Sequence, residues 1–280
     1  MFIIICILTL FLGYWSIVQL SHLNKEKNHQ RYQQLSILRE LIQLCREHRR
    51  YTHHVLANTN GTNRRSDLRQ IRRIQNLITS TTQHITAIAS PGEKSTYRIL
   101  STNLIALTTG WKQNSMARNQ LEHGKAIRHC IYLVDELMID WLLKNSNVEL
   151  EQRYLNTWHQ ILDGMDSLTQ LRIAMIEDGV SQHKVLRNAH LISRRIKQLS
   201  MSNNQPLSTP ARLSIYTRLD QLIEHDANIA DISDRYQLTS DISEELFASY
   251  DTVLNVLCES FYQPLNEVRL NSNPVMSSEK

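Results

Sequence analysis

Apolar residues recur along this chain every three to four positions, the spacing of a helix face and not of a strand. Only the first stretch departs from it. Residues 1–20, MFIIICILTLFLGYWSIVQL, are apolar on every side. About 20 such residues, at about 1.5 Å rise each, just cross a bilayer. No Lys or Arg precedes the run and no small-x-small pair follows it. It therefore reads as an uncleaved transmembrane anchor and not as a cleaved leader.

Behind the anchor the pattern predicts a first helix running on to about Ala57, broken by Asn58 to Asn63. A second covers Arg64 to Ala89, with Ile71, Ile74, Ile78, Thr81, Ile85 and Ile88 on one stripe. Ser90-Pro91-Gly92 is a turn. Helices then cover Glu93 to Lys112, Met116 to Lys144, about Val148 to Glu177, and Gln182 to Met201. Thr209-Pro210, a cap followed by a first-turn proline, opens a helix predicted to reach Ser233. The last is predicted from Ser240 to Leu270, kinked at Pro264. Amphipathic helices with short links bury their stripes best as antiparallel bundles. The expected fold is all-α: an N-terminal transmembrane helix (1–20), then about eight helices in two antiparallel four-helix bundles (21–270), then a polar tail (271–280).

Charge adds an orientation. Lys25, Lys27, Arg31 and Arg39 follow the anchor and none precedes it. Positive residues stay on the cytoplasmic side, so the body is expected to be cytoplasmic; Glu26 weakens the bias, and a body outside the membrane is the alternative. The net charge of +4 is modest. The cluster Arg64, Arg65, Arg69, Arg72 and Arg73 reads as a solvated face, or as an anionic-lipid contact near the anchor. No nucleic-acid reading module accompanies it, so no nucleic acid partner is expected.

Candidate chemistry is sparse. Cys45, Cys130 and Cys258 are odd in number and form no CxxC, which argues for buried free thiols. Twelve histidines include His48, His53 and His54. Without HExxH or paired CxxC they read as surface or hydrogen-bonded groups, with no metal or cofactor expected. No phosphate-cradling loop or nucleophile elbow is present, and no enzyme activity is expected.

Two positions break the apolar stripes. In the first helix the stripe runs Leu38, Ile42, Cys45, Arg49, Thr52, Leu56. In the fifth it runs Leu155, Trp158, Leu162, Met165, Thr169, Arg172, Ile176. Arg49 and Arg172 stand where apolar residues belong, each with a threonine one turn away. A buried, unpaired guanidinium costs several kcal/mol. Three outcomes remain open: the two arginines form an anion pocket, using the planar fork that matches planar oxyanions; they pair internally with Glu47, Asp166 or Glu177; or they snorkel to water.

The stretch LRELIQLCREHRRYTHHVLANTNG (38–61), followed by LRQIRRIQNLI, resembles the first motif of the nitrate- and nitrite-sensing (NIT) domain family. SLTQLRIAMIEDG (167–179) resembles its second, glutamine-leucine-arginine motif, and ELFASYDTVLNVLCESFYQPL (245–265) its closing aromatic-rich helix. The resemblance implies a two-bundle input domain, in a bacterial inner membrane, that binds nitrate or nitrite through arginines between helices. By motif position Arg49 and Arg172 hold the anion. Arg50, standing where the family has glycine, assists. From the stripe pattern itself, the hydroxyls of Thr52 and Thr169 are expected to add donors. Ile173 likewise replaces a small residue. A further arginine is expected to close the site, with Arg187, Arg194 and Arg195 available. Two functions from different classes follow: a membrane-anchored receptor for a small inorganic anion that signals to a partner protein or a second copy of itself, or a tethered helical scaffold with no small-molecule ligand.

Overall fold

The structure, a computed structural model, describes residues 2–57, 63–145, 147–176, 182–202, 209–224, 232–266 and 268, with side chains described outside 2–9, 202, 232 and 233. Every regular element among them is helical: α1 (Phe2–Ala57), α2 (Arg64–Ile88), α3 (Lys94–Gly110) with a short 3₁₀ turn at Trp111–Gln113, α4 (Met116–Asn145), α5 (Val148–Ile176), α6 (Gln182–Ser202), α7 (Pro210–Glu224) and α8 (Ile232–Phe261). The expected polar tail, 271–280, lies outside the described residues, as does much of the expected break at Asn58 to Asn63.

Local chemistry sets several helix ends. At the Ser90–Gly92 turn the Glu93 carboxylate accepts from the Ser90 amide (2.9 Å) and hydroxyl (2.7 Å), and from Gln34 Nε2 on α1 (3.1 Å). These donors hold the Glu93 carboxyl below its ordinary range although burial opposes them. Asn147 Oδ1 accepts the Leu150 amide at the start of α5, the side-chain cap that frees no buried donor.

The helices pack as a bundle. α1 lies against α2 and α4, with α3 closing on both, while α5 lies against α6 and α8, with α7 closing on both. α4 against α5 joins the two sets at close backbone range. A continuous apolar core runs through both, from Leu35, Leu38 and Leu41 on α1 to Tyr250 and Leu254 on α8. The α1–α4 pairing keeps one antiparallel register throughout: Arg31 meets Asp140, His48 meets His123 and Thr52 meets Asn119.

α1 is 56 residues long, roughly 84 Å at the helical rise. Its first 27 residues or so project beyond the body. In that stretch Leu10, Phe11, Leu12, Tyr14, Trp15, Ile17, Val18 and Leu20 are all exposed. Among the described residues no helix is long and apolar enough to cross a membrane. The expected anchor falls, for the side chains of its first nine residues, outside the described ones.

Three expectations are corrected. The seventh helix does not reach Ser233, because Ile232 and Ser233 already belong to α8, which begins eight residues before the predicted Ser240. α8 also ends at Phe261, so Pro264 is not a kink within it. Past that end the Pro264 carbonyl accepts the Tyr32 hydroxyl at 2.9 Å. The arginine cluster is likewise not near the anchor. Arg64 donates to the Val55 carbonyl, about 50 Å along α1 from Leu20 at 1.5 Å per residue.

Candidate functional site

The two stripe-breaking arginines converge at the junction of α1, α5 and α8. Arg49 and Arg172 are each only 3 % exposed. The positive charge of each is disfavoured by burial, which pulls Arg49 down to about 10 and Arg172 well down. The charge of Arg49 depresses Arg172 further, so the two heads stand within each other's field. Among the described residues no carboxylate neutralises either. Glu47 is bound to Arg50, and Asp166 is bound to Arg128. Glu177, the third expected counter-charge, lies outside the described residues.

What the arginines do touch is neutral and comes from α8. Arg172 Nη2 donates to the Thr239 carbonyl at 2.7 Å. Arg49 Nη2 reaches the Ser243 hydroxyl only at 3.5 Å, and the Tyr236 hydroxyl also partners its guanidinium. Arg49 Nε and Arg172 Nε and Nη1 are buried without an acceptor. Each such donor forfeits about 1–3 kcal/mol, more on a charged group. Beside Arg172 is a cavity of about 20 Å³, bounded by His53, Met175, Ile176, Arg235, Tyr236 and Thr239. That exceeds the roughly 10–15 Å³ one water needs.

The site continues into a buried polar layer between α1 and α4. His123 Nδ1 faces the Asn119 carbonyl at 2.7 Å. A carbonyl only accepts, so this nitrogen carries the hydrogen and Nε2 is left bare. His48 Nδ1–H then donates to it across 2.8 Å, which leaves His48 Nε2 a bare acceptor, buried and unpartnered. Gln120 Nε2 donates to His53 Nδ1 at 3.3 Å, placing the His53 hydrogen on Nε2. The His53 ring stacks on Tyr236, centroids 4.1 Å apart and planes 9° apart. Burial holds His48 and His53 neutral, each down to about 4, with His54, Arg172 and Arg49 adding to the effect on His53.

Of the five residues expected to bind an anion, the fold brings Arg49 and Arg172 together and leaves three apart. Arg50 is exposed, pairs with Glu47 at 2.5 Å and lies over the Tyr51 ring. The Thr52 hydroxyl is occupied by the His48 carbonyl (2.7 Å) and by Asn119 Nδ2 (3.0 Å). Thr169 bonds back to the Met165 carbonyl (2.8 Å), with its side chain against Gly124. α6 supplies no closing arginine: Arg187 and Arg194 are exposed, and Arg195 pairs with Asp163. Arg235 of α8 borders the cavity instead. It, Tyr236 and Thr239 were missed because the sequence pattern starts that helix too late. The signal was present: Tyr236, Thr239 and Ser243 continue the stripe of Leu246, Tyr250, Val253 and Leu257 back at steps of three and four.

Larger grooves lie elsewhere. One of about 430 Å³ is lined by Arg118, Glu122 and Lys125, whose charges satisfy one another. Among the described residues no group of His, Cys, Asp or Glu is arranged to hold a metal ion. Cys45, Cys130 and Cys258 are free and buried, and burial pushes the Cys45 and Cys258 thiols up to about 12. No protein family, curated protein or solved structure compared with the chain matches it.

Proposed function

We propose that the chain is a membrane-anchored, sensor-like protein whose two antiparallel four-helix bundles bind nitrate, nitrite or a similar small anion and relay its presence to a partner protein or a second copy. One observation carries this reading. Arg49 and Arg172 are buried within each other's field with no carboxylate on either among the described residues, both keep unspent N–H groups, and Arg172 borders a small cavity. Two like charges held in an apolar core destabilise the empty protein. A monoanion between them removes that cost and supplies the missing acceptors.

The anchor part of the reading rests on the apolar run from Met1 to Leu20. Its described side chains are exposed all round the helix, which a bilayer accommodates and water does not. The cytoplasmic placement rests on the free Lys25 and Lys27, because Arg31 and Arg39 are tied to Asp140 and Asp251 in the body.

The test is thermal unfolding of the full chain in detergent, in nitrate or nitrite against chloride at equal ionic strength. An anion at about 100 times its Kd stabilises by about 2.7 kcal/mol, which moves the midpoint of a body this size by roughly 5–10 °C. Arg172→Gln and Arg49→Gln are expected to melt at or above the parent temperature without anion, since each removes a buried charge, and to lose the nitrate response. No anion-dependent shift in the parent, or an equal shift in the double variant, leaves the tethered scaffold as the better description.

A further inference from the structure

Large apolar side chains are exposed on both sides of the α4–α5 connection. Leu143 is 64 % exposed and Val148 76 %, flanking the turn, with Ile139 37 % exposed one helical turn earlier. The α1–α4 register fixes how high this turn sits. Arg31 is level with Asp140, so Leu143 is level with about residue 28 of α1. α5 returns from there, and its Tyr154 hydroxyl donates to Asp135 at 3.0 Å, which brings Val148 to nearly the same level. The apolar run ends at Leu20, about eight residues or 12 Å below, and the last exposed apolar residue of the projecting α1 segment is Leu23, about five residues or 8 Å below. The polar layer on each side of a bilayer's hydrocarbon core is about 5–8 Å deep.

We propose that the α4–α5 turn rests on the bilayer surface, with Leu143 and Val148 seated among lipid headgroups beside the emerging α1. This depends on the anchor in the reading above and not on the anion. A lipid surface is the favoured occupant, because the apolar pair lies at the end of the body from which α1 projects, within about 8 Å of a helix segment whose described apolar side chains are exposed on all sides. The charges around it are mixed: Lys25, Lys27 and Lys144 against Glu26 and Glu149. A neutral lipid is therefore sufficient, and the contact is driven by the apolar pair. Seating the body in this way fixes its tilt on α1, so that a rearrangement inside the bundle is felt at the membrane and is not lost in free rotation.

The experiment is spin-label depth measurement on the full chain in phosphatidylcholine vesicles. Cys6→Ser removes the one cysteine outside the body, and the other three are buried. Single labels are placed at Leu143→Cys, Val148→Cys and, as an aqueous reference, Ile105→Cys, exposed on α3 well up the body. Labels at 143 and 148 are expected to gain oxygen access and lose access to a water-soluble nickel complex relative to 105. Labels at 143 and 148 that match 105 overturn the proposal. Shielding from both reagents points to a protein contact and overturns it equally. A chain that fails to float with the vesicles overturns the anchor together with it, whereas a floating chain with aqueous labels leaves the anchor standing and removes only the surface contact.

Discussion

At the scale of single residues, the polar layer around Arg49 makes the protein sensitive to acid. His48 and His53 are held neutral by burial, each at about 4, and His123 is pulled down by burial and by His48. In the unfolded chain a histidine titrates near 6.5. Between these values the unfolded state binds more protons than the native one, so stability rises with pH. The contribution is full above about pH 6.5 and is lost as pH falls toward 4. By pH 5 each of His48 and His53 is expected to cost about 2 kcal/mol. Denaturant midpoints at pH 5 and 7.5 measure the loss, and His53→Asn is expected to flatten part of the slope. An anion beside His53 opposes the pull of Arg49 and Arg172, so nitrate is expected to shrink the acid loss and to bind more tightly at pH 5 than at pH 7.5. An acid loss unchanged by saturating nitrate places the ligand away from His53.

At the scale of helices, two glycines each lie under a side chain of a neighbouring helix. A Cβ on Gly124 of α4 would meet Thr169 Oγ1 at 3.0 Å and Cγ2 at 3.3 Å, and one on Gly164 of α5 would meet Leu246 Cδ2 at 3.0 Å. Alanine gains nearly 1 kcal/mol of helix propensity over glycine, so the neighbour's ability to yield decides the sign. Thr169 is β-branched and tied to the Met165 carbonyl, while only the tips of Leu246 crowd Gly164. Gly124→Ala is expected to destabilise by about 1–2 kcal/mol and Gly164→Ala to be close to neutral, read as urea midpoints. The helices themselves were largely legible in the sequence, since each stripe repeats a single period: Ile71, Ile74, Ile78 and Ile85 are all buried as expected. The two arginines were legible for the same reason, as charged residues on an apolar line. Their surroundings were not. Periodicity tells which side of a helix faces inward, but it does not tell which inward residues of four helices meet at one height. Tyr236 and Thr239 also sat behind a misplaced helix start. The threonines misled because a buried hydroxyl can bond its own helix backbone as readily as a ligand.

At the scale of the molecule, the question is how occupancy near one end of α1 is felt at the other. Arg49 and His53 lie roughly 45 Å along α1 from Leu20, and α1 is unbroken between them. The site draws on α1, α5 and α8, so it straddles the two helix sets. Those sets meet in two different ways. α4 and α5 approach at backbone range. α1 and α8 are joined by long side chains: Arg39 on Asp251 at 2.8 Å, Arg46 on Glu244 at 2.6 Å and Arg46 over Phe247 at 4.6 Å. A seam of long, hydrogen-bonded side chains tolerates small sliding better than interlocked apolar packing does, and small shifts of this kind are how helix pairs switch. Under the proposed function, repulsion between Arg49 and Arg172 widens the seam without an anion, and the bound anion draws it closed. Spin labels at Ile105→Cys on α3 and Leu213→Cys on α7, both exposed, report the separation of the two sets in a Cys6→Ser background. Nitrate is expected to shorten or narrow their distance distribution, and Arg172→Gln to abolish the response. A distribution unchanged by nitrate, in a protein whose melting temperature nitrate does raise, means the ligand binds without moving one set against the other. The signal would then have to leave through α1 alone.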